Sequence, residues 1–222
     1  DDESAEIKKK KKDRYDMIVM GEKQLYNRLW IYDVENKSYE TIFRQDLNVS
    51  LFEWSEDSKF IVFQAAEKVN TDIEYLESSI YIVKSPSGNP RKIAETPGKL
   101  SSMSLSPNTE KLAYLGATSY NDPLAQSIYV HQIKNGKSKL ITPGFKESFV
   151  DVEWIDDQTV IGLSQRGTKT VLSTIFLANN LPEDVFNQND VLAPDEIISS
   201  FSFHRYTKQL VVTANSRKNT NE

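Results

Sequence analysis

The segment Trp54-Ser55-Glu56-Asp57-Ser58-Lys59-Phe60-Ile61-Val62-Phe63 joins an aromatic residue, a short polar turn and a run of strand-forming apolar residues. The chain repeats that combination three more times. The later copies begin at Leu105, Trp154 and Phe203, so the lead residues lie 51, 49 and 49 positions apart. A fixed period of this length, filled with short strands, marks a radial β repeat in which each unit is one small antiparallel sheet.

The second half of each period repeats as well. Ile80-Tyr81-Ile82-Val83 matches Ile128-Tyr129-Val130-His131, and Leu29-Trp30-Ile31-Tyr32 is of the same kind. A polar turn and a last strand follow each, and two of these strands run into the same tripeptide, Thr96-Pro97-Gly98 and Thr142-Pro143-Gly144. One unit is therefore four strands, a to d. Runs such as Phe60 to Phe63 and Ile80 to Val83 are apolar at successive positions, as in strands buried on both faces. A β-propeller provides that burial by sandwiching each blade between two others. The lead positions Trp54, Leu105, Trp154 and Phe203 are expected to be buried between blades, and Asp57, Asn108 and Asp157 to organise the a-to-b turns.

The expected fold class is all-β, a propeller of four-stranded antiparallel blades. A partial blade at about 15–43 precedes full ones at about 49–95, 100–142 and 149–193, and a partial one at about 197–213 follows. Residues 15–20 read as a strand b whose strand a is missing. Residues 1–14, acidic and then Lys-rich, and 214–222 read as tails. Four to five blades' worth of strands, with one strand too many for a four-bladed ring, favour an arc of a larger propeller; a closed four-bladed ring is the alternative.

Composition restricts chemistry more than it suggests any. The 32 acidic and 27 basic side chains give a formal charge of −5, against nucleic acid as a partner, and the absence of cysteine removes disulfides and thiol chemistry. No apolar stretch approaches the roughly 20 residues of a membrane helix. There is no Gly-x-Ser-x-Gly elbow, no metal-binding spacing and no phosphate loop, so no catalytic residue, metal or cofactor is expected. The two histidines, His131 and His204, read as a packing and a turn residue. Compartment stays open between cytoplasmic and exported.

The repeated segments Trp54 to Phe63 and Leu105 to Tyr114 resemble the propeller repeat of TolB-like proteins and of the N-terminal domain of the prolyl oligopeptidase family. The loop segments Glu74-Tyr75-Leu76-Glu77-Ser78-Ser79 and Tyr120-Asn121-Asp122-Pro123-Leu124-Ala125 look like stretches of its acylaminoacyl-peptidase and dipeptidyl-peptidase-like members. The chain departs from the repeat at its usual turn glycine, replaced by Ser58, Thr109, Gln158 and Thr207. The resemblance implies a propeller that gates and selects peptide substrates for a serine peptidase whose C-terminal α/β-hydrolase domain is absent from this chain. It also implies that carboxylates on the long b-to-c loops hold a peptide's terminal ammonium, which makes Glu74, Glu77, Tyr120 and Asp122 the candidate substrate-binding residues. A TolB-like protein-binding propeller without enzymatic activity is the alternative, and self-association through open blade edges is a further expectation.

Overall fold

A computed structural model of the chain describes residues 9, 12, 13, 25–120, 125–177 and 187–215. The strand expected at 15–20 and the candidate Asp122 lie outside these residues. Three antiparallel four-stranded sheets form the full blades, each with its strands in sequence order from the inside outward. The first holds β3 (Asn48–Trp54), β4 (Phe60–Ala66), β5 (Ser79–Lys84) and β6 (Arg91–Glu95). The second holds β7 (Leu100–Leu105), β8 (Lys111–Ala117), β9 (Gln126–Gln132) and β10 (Lys137–Leu140). The third holds β11 (Ser148–Asp156), β12 (Thr159–Arg166), β13 (Lys169–Phe176) and β14 (Asn187–Leu192). Among the described residues two half blades flank them: β1 (Trp30–Asp33) with β2 (Ser38–Thr41), in the place of outer c and d strands, and β15 (Ile197–His204) with β16 (Gln209–Asn215), in the place of inner a and b strands. A short helix, α1 (Thr71–Leu76), sits in the b-to-c loop of the first full blade.

The a-to-b turns show why the polar residues are there. In the first full blade Ser55 Oγ donates to Asp57 Oδ1 at 2.8 Å and accepts from the Phe60 N–H at 3.1 Å, while the Lys59 N–H donates to Asp57 at 3.1 Å. Ser106 and Asn108 repeat this arrangement in the second. Ser58 and Thr109, standing where the repeat usually has glycine, are held at φ values of 58° and 57°. The third turn departs from expectation: Asp156, not Asp157, accepts the local N–H of Gln158. Asp157 instead accepts the Asn108 N–H of the preceding blade at 2.9 Å, so this carboxylate joins blades. In the last turn His204 Nδ1 lies 2.8 Å from Thr207 Oγ1.

Every inner strand carries a bulge at the same place, between Val49 and Leu51, Ser101 and Met103, Phe149 and Asp151, and Ile198 and Ser200. An extra residue bends a strand and increases its local twist. Its recurrence makes the bulge part of the repeat. The core lies between blades. Phe43, Phe63 and Tyr81 stack in series between the first half blade and the blade after it, and Leu105, Leu112 and Tyr114 meet Val62 and Ile80 at the next junction.

The lead positions divide. Trp154 is fully buried against the second blade, its Nε1 donating to the Ser104 carbonyl at 2.8 Å, and Leu105 is buried too. Trp54 is 42% exposed and Phe203 only partly covered, against the expectation for all four. A lead residue packs on the blade before its own, and before Trp54 the described half blade contributes only outer strands. Tertiary surroundings, absent from the local pattern, decide this burial. No described helix is long and apolar enough to cross a membrane.

Candidate functional site

Strand alternation sends the b-to-c and d-to-a loops to one end of the propeller. There the long loops of the first two full blades approach each other. Asn70 caps α1, its Oδ1 accepting the N–H groups of Asp72 at 3.0 Å and Ile73 at 3.3 Å, and the helix ends at Glu77, whose N–H donates to the Ile73 carbonyl. This turn projects Glu77 toward the second blade. Tyr120 Oη donates to Glu77 Oε1 at 3.1 Å, joining two loops 43 residues apart in sequence. The bond to Glu77 raises the Tyr120 phenol above its ordinary pKa, with burial adding to it.

Beneath this bridge is a cleft of about 390 Å³ that both residues line. Its ionic lining is Glu67, Glu77 and Glu95 against Lys68 and Lys92. Lys92 is already committed to Glu95 at 3.2 Å. The balance is acidic, which suits a cationic group able to replace or share the phenol on Glu77. Of the four sequence candidates, the structure thus brings Glu77 and Tyr120 together. Glu74 lies on the same helix but outside the cleft lining; its carbonyl accepts the Ser78 hydroxyl at 2.5 Å. Lys92 and Glu95 escaped the sequence reading because they sit on strand β6, remote from the loops that drew attention.

Next to the cleft residues Pro97 and Tyr120 the backbone packs closely. A Cβ on Gly98 would lie 2.4 Å from the carbonyl oxygen of Ser119, next to Tyr120. Gly98 is needed there for space. Gly144, its counterpart in the repeated Thr-Pro-Gly, meets no neighbour but has φ +69°, so the same tripeptide serves two different needs.

A second concavity, of about 420 Å³, follows the propeller axis near the a-to-b turns. It is lined by Glu53, Asp151, Glu153 and Arg205, none of which the sequence singled out. The two glutamates stand at one repeat position and act alike: Glu53 Oε2 accepts the Leu105 N–H at 2.9 Å and Glu153 Oε2 accepts the Phe203 N–H at 3.0 Å, each from the following repeat. Burial pushes Glu53 up to about 7, against the pull of the Leu105 N–H and Arg205, and raises Glu153 likewise. Arg205 reaches the first full blade, with Nη1 3.4 Å from Glu56 Oε2 and Nη2 donating to the Leu105 carbonyl at 3.3 Å. These contacts stitch blade to blade. His131, fully buried in β9 with Nδ1 2.9 Å from Ser138 Oγ, has no open face toward either concavity.

No family model matches the sequence, and no curated protein is significantly similar to it. Solved structures are similar in fold. A putative TolB from Agrobacterium tumefaciens aligns with a TM-score of 0.62 at 15% identity, over 81% of this chain and 59% of that one. TolB from Acinetobacter baumannii gives 0.62 at 14% identity, over 87% and 44%. A puromycin-hydrolyzing peptidase from Mycobacterium tuberculosis gives 0.64 at 15%, over 84% and 32%. The chain therefore spans less than two thirds of each. At these identities the likeness is one of fold: the described chain is an arc of β-propeller blades of the kind found in TolB and in that peptidase.

Proposed function

We propose that this chain is a non-catalytic propeller unit that helps select peptide substrates for a serine peptidase, with the cleft under the Tyr120–Glu77 bridge receiving a peptide's free amino terminus. The observation carrying the reading is that bridge: a carboxylate from one blade, held by a phenol from the next, above an acidic cleft. A terminal ammonium makes charge-assisted hydrogen bonds to such a carboxylate and can displace the phenol. The likeness to the peptidase propeller supports the setting. Catalysis falls to a hydrolase domain, since this sequence has no nucleophile elbow and His131 is enclosed.

Fluorescent peptides with a free or an acetylated amino terminus test this reading. Preference for the free form should be at least five-fold, and Glu77→Gln should abolish it with Tyr120→Phe reducing it. Equal binding of the two forms, or no binding of either, overturns the assignment. The second reading, a TolB-like module that binds a protein partner, is favoured by the larger share of the TolB chain that aligns. It predicts indifference to amino-terminal acetylation.

A further inference from the structure

We infer that a basic cleft on the first full blade, at the end of the propeller opposite Glu77 and Tyr120, is a docking surface for an acidic peptide segment of a protein partner. The cleft has a volume of about 690 Å³, a size at which clefts hold ligands. Phe60 and Ile82 are its half-buried apolar lining, and Lys59, Lys84 and Arg91 its exposed cations. Strand pairing brings these residues together. Phe60 pairs with Lys84 across β4 and β5, and Ile82 pairs with Arg91 across β5 and β6. Directly opposed residues share a face, as do residues two apart in one strand, so these four stand on one side of the blade. That side looks toward the second blade, where Phe60 and Ile82 pack against the core holding Leu105, Leu112 and Tyr114. The Arg91 charge also reaches across, adding to burial in holding the His131 imidazole below its ordinary pKa. The cleft thus borders the junction of two full blades, and no half blade contributes to its lining.

Charge is the second observation. Lys59 pairs with Asp57 at 2.9 Å, but among the described residues Lys84 and Arg91 make no ion pair. No carboxylate lines the cleft, although the whole chain carries a formal charge of −5. Neighbouring cations without a counter-ion repel one another, and an anionic ligand relieves that repulsion.

The repeat supplies the third observation. The Ser85 N–H donates to the Lys59 carbonyl, as the Ile133 N–H does to Glu110 and the Leu177 N–H to Gln158, which fixes the equivalent positions. Strand pairing then puts Glu110, Gln132 and Lys139 of the second blade, and Gln158, Phe176 and Asn189 of the third, where the first has Lys59, Lys84 and Arg91. Phe60 is likewise replaced by Lys111 and Thr159. The other two blades build the same hairpins without these residues, so the fold does not require the cations or the phenylalanine. An acidic segment with an apolar side chain suits both features. Its carboxylates make charge-assisted hydrogen bonds to Lys84 and Arg91, and its apolar side chain covers Phe60 and Ile82. A bare phosphate leaves that apolar surface wet, and a nucleic acid meets the repulsion of the chain's negative charge.

The peptide acetyl-Glu-Glu-Leu-Phe-Glu-Glu, labelled at its carboxyl end, tests the surface by fluorescence anisotropy with the full chain. Its acetyl group removes the terminal ammonium, which makes the outcome independent of the cleft under Glu77. Saturable binding is expected, about ten-fold or more stronger than that of the Gln-Gln-Leu-Phe-Gln-Gln analogue and weakened by salt. Lys84→Gln with Arg91→Gln should abolish the preference and leave the circular dichroism unchanged, both side chains being exposed. Lys139→Gln, at the Arg91 position of the second blade, and Glu77→Gln should change neither. Equal affinity for the two peptides, no binding of either, or a preference that survives Lys84→Gln with Arg91→Gln overturns the inference. So does loss of binding when Lys8 to Lys12 are all changed to Gln, which assigns the attraction to that run. Binding that emerges only on removal of residues 1–7 makes the chain's own acidic segment the occupant, and an oligonucleotide that displaces the peptide at lower charge concentration makes it a nucleic acid; either result also overturns the inference.

Discussion

Glu53 shows how one residue links blade joining to pH. Its carboxyl is buried among the inner strands, accepts the Leu105 N–H of the next blade and titrates near 7. A folded-state pKa above the unfolded value means that the folded chain binds the extra proton. Stability is then greatest below about 4.5 and declines as pH rises toward about 7, by roughly 3 kcal/mol across that window. Glu153 shifts in the same direction and adds to the slope. Urea denaturation of the wild type and of Glu53→Gln at several pH values should show the decline flattened in the variant. An unchanged slope would remove Glu53 as its source. The residue was invisible to the sequence reading because a glutamate before an aromatic looks like any solvated strand residue.

At the scale of the element, the a-to-b hairpin was the part most clearly written in the sequence. Its strands at 60–66, 111–117 and 159–166 lie where the apolar runs end each polar turn. Burial of the lead residue was not so written, as Trp54 and Trp154 demonstrate with the same residue type in the same repeat position. Trp154 has a complete blade before it, a hydrogen bond from its indole to Ser104 and Lys111 Nζ 5.9 Å from its ring centre. Trp154→Ala should cost about 3–5 kcal/mol by chemical denaturation, the range for large aromatic truncations in cores. Trp54→Ala in the single chain should cost clearly less. Equal losses would mean that the two positions are equally packed.

At the scale of the whole molecule, the described residues form three full blades and two two-stranded sheets, joined from repeat to repeat by Glu53, Asp157, Glu153 and Arg205. Loops at one end build the cleft of Glu77 and Tyr120. Among the described residues neither place sets a serine hydroxyl against an imidazole, although Ser102 Oγ donates to Asp151 Oδ1 at 2.6 Å in the second concavity. The isolated chain should accordingly give no turnover of aminoacyl or acylaminoacyl reporter substrates, measured after repurification. Turnover blocked by a serine-directed reagent would contradict the proposed division of labour.

The sequence by itself determined the period, the four-stranded unit, the turn chemistry of Ser55 with Asp57 and Ser106 with Asn108, and the absence of cysteine, because these follow from local spacing and side-chain reach. It also placed Glu77 and Tyr120 on long loops. Only the tertiary structure decided that those two meet, that Glu74 stands aside, that Asp157 bonds the neighbouring blade, and that Trp54 is bare while Trp154 is enclosed. Each of these depends on which blade lies beside which, at separations of roughly forty to fifty residues or more, where a repeat supplies identical local signals to positions with different neighbours.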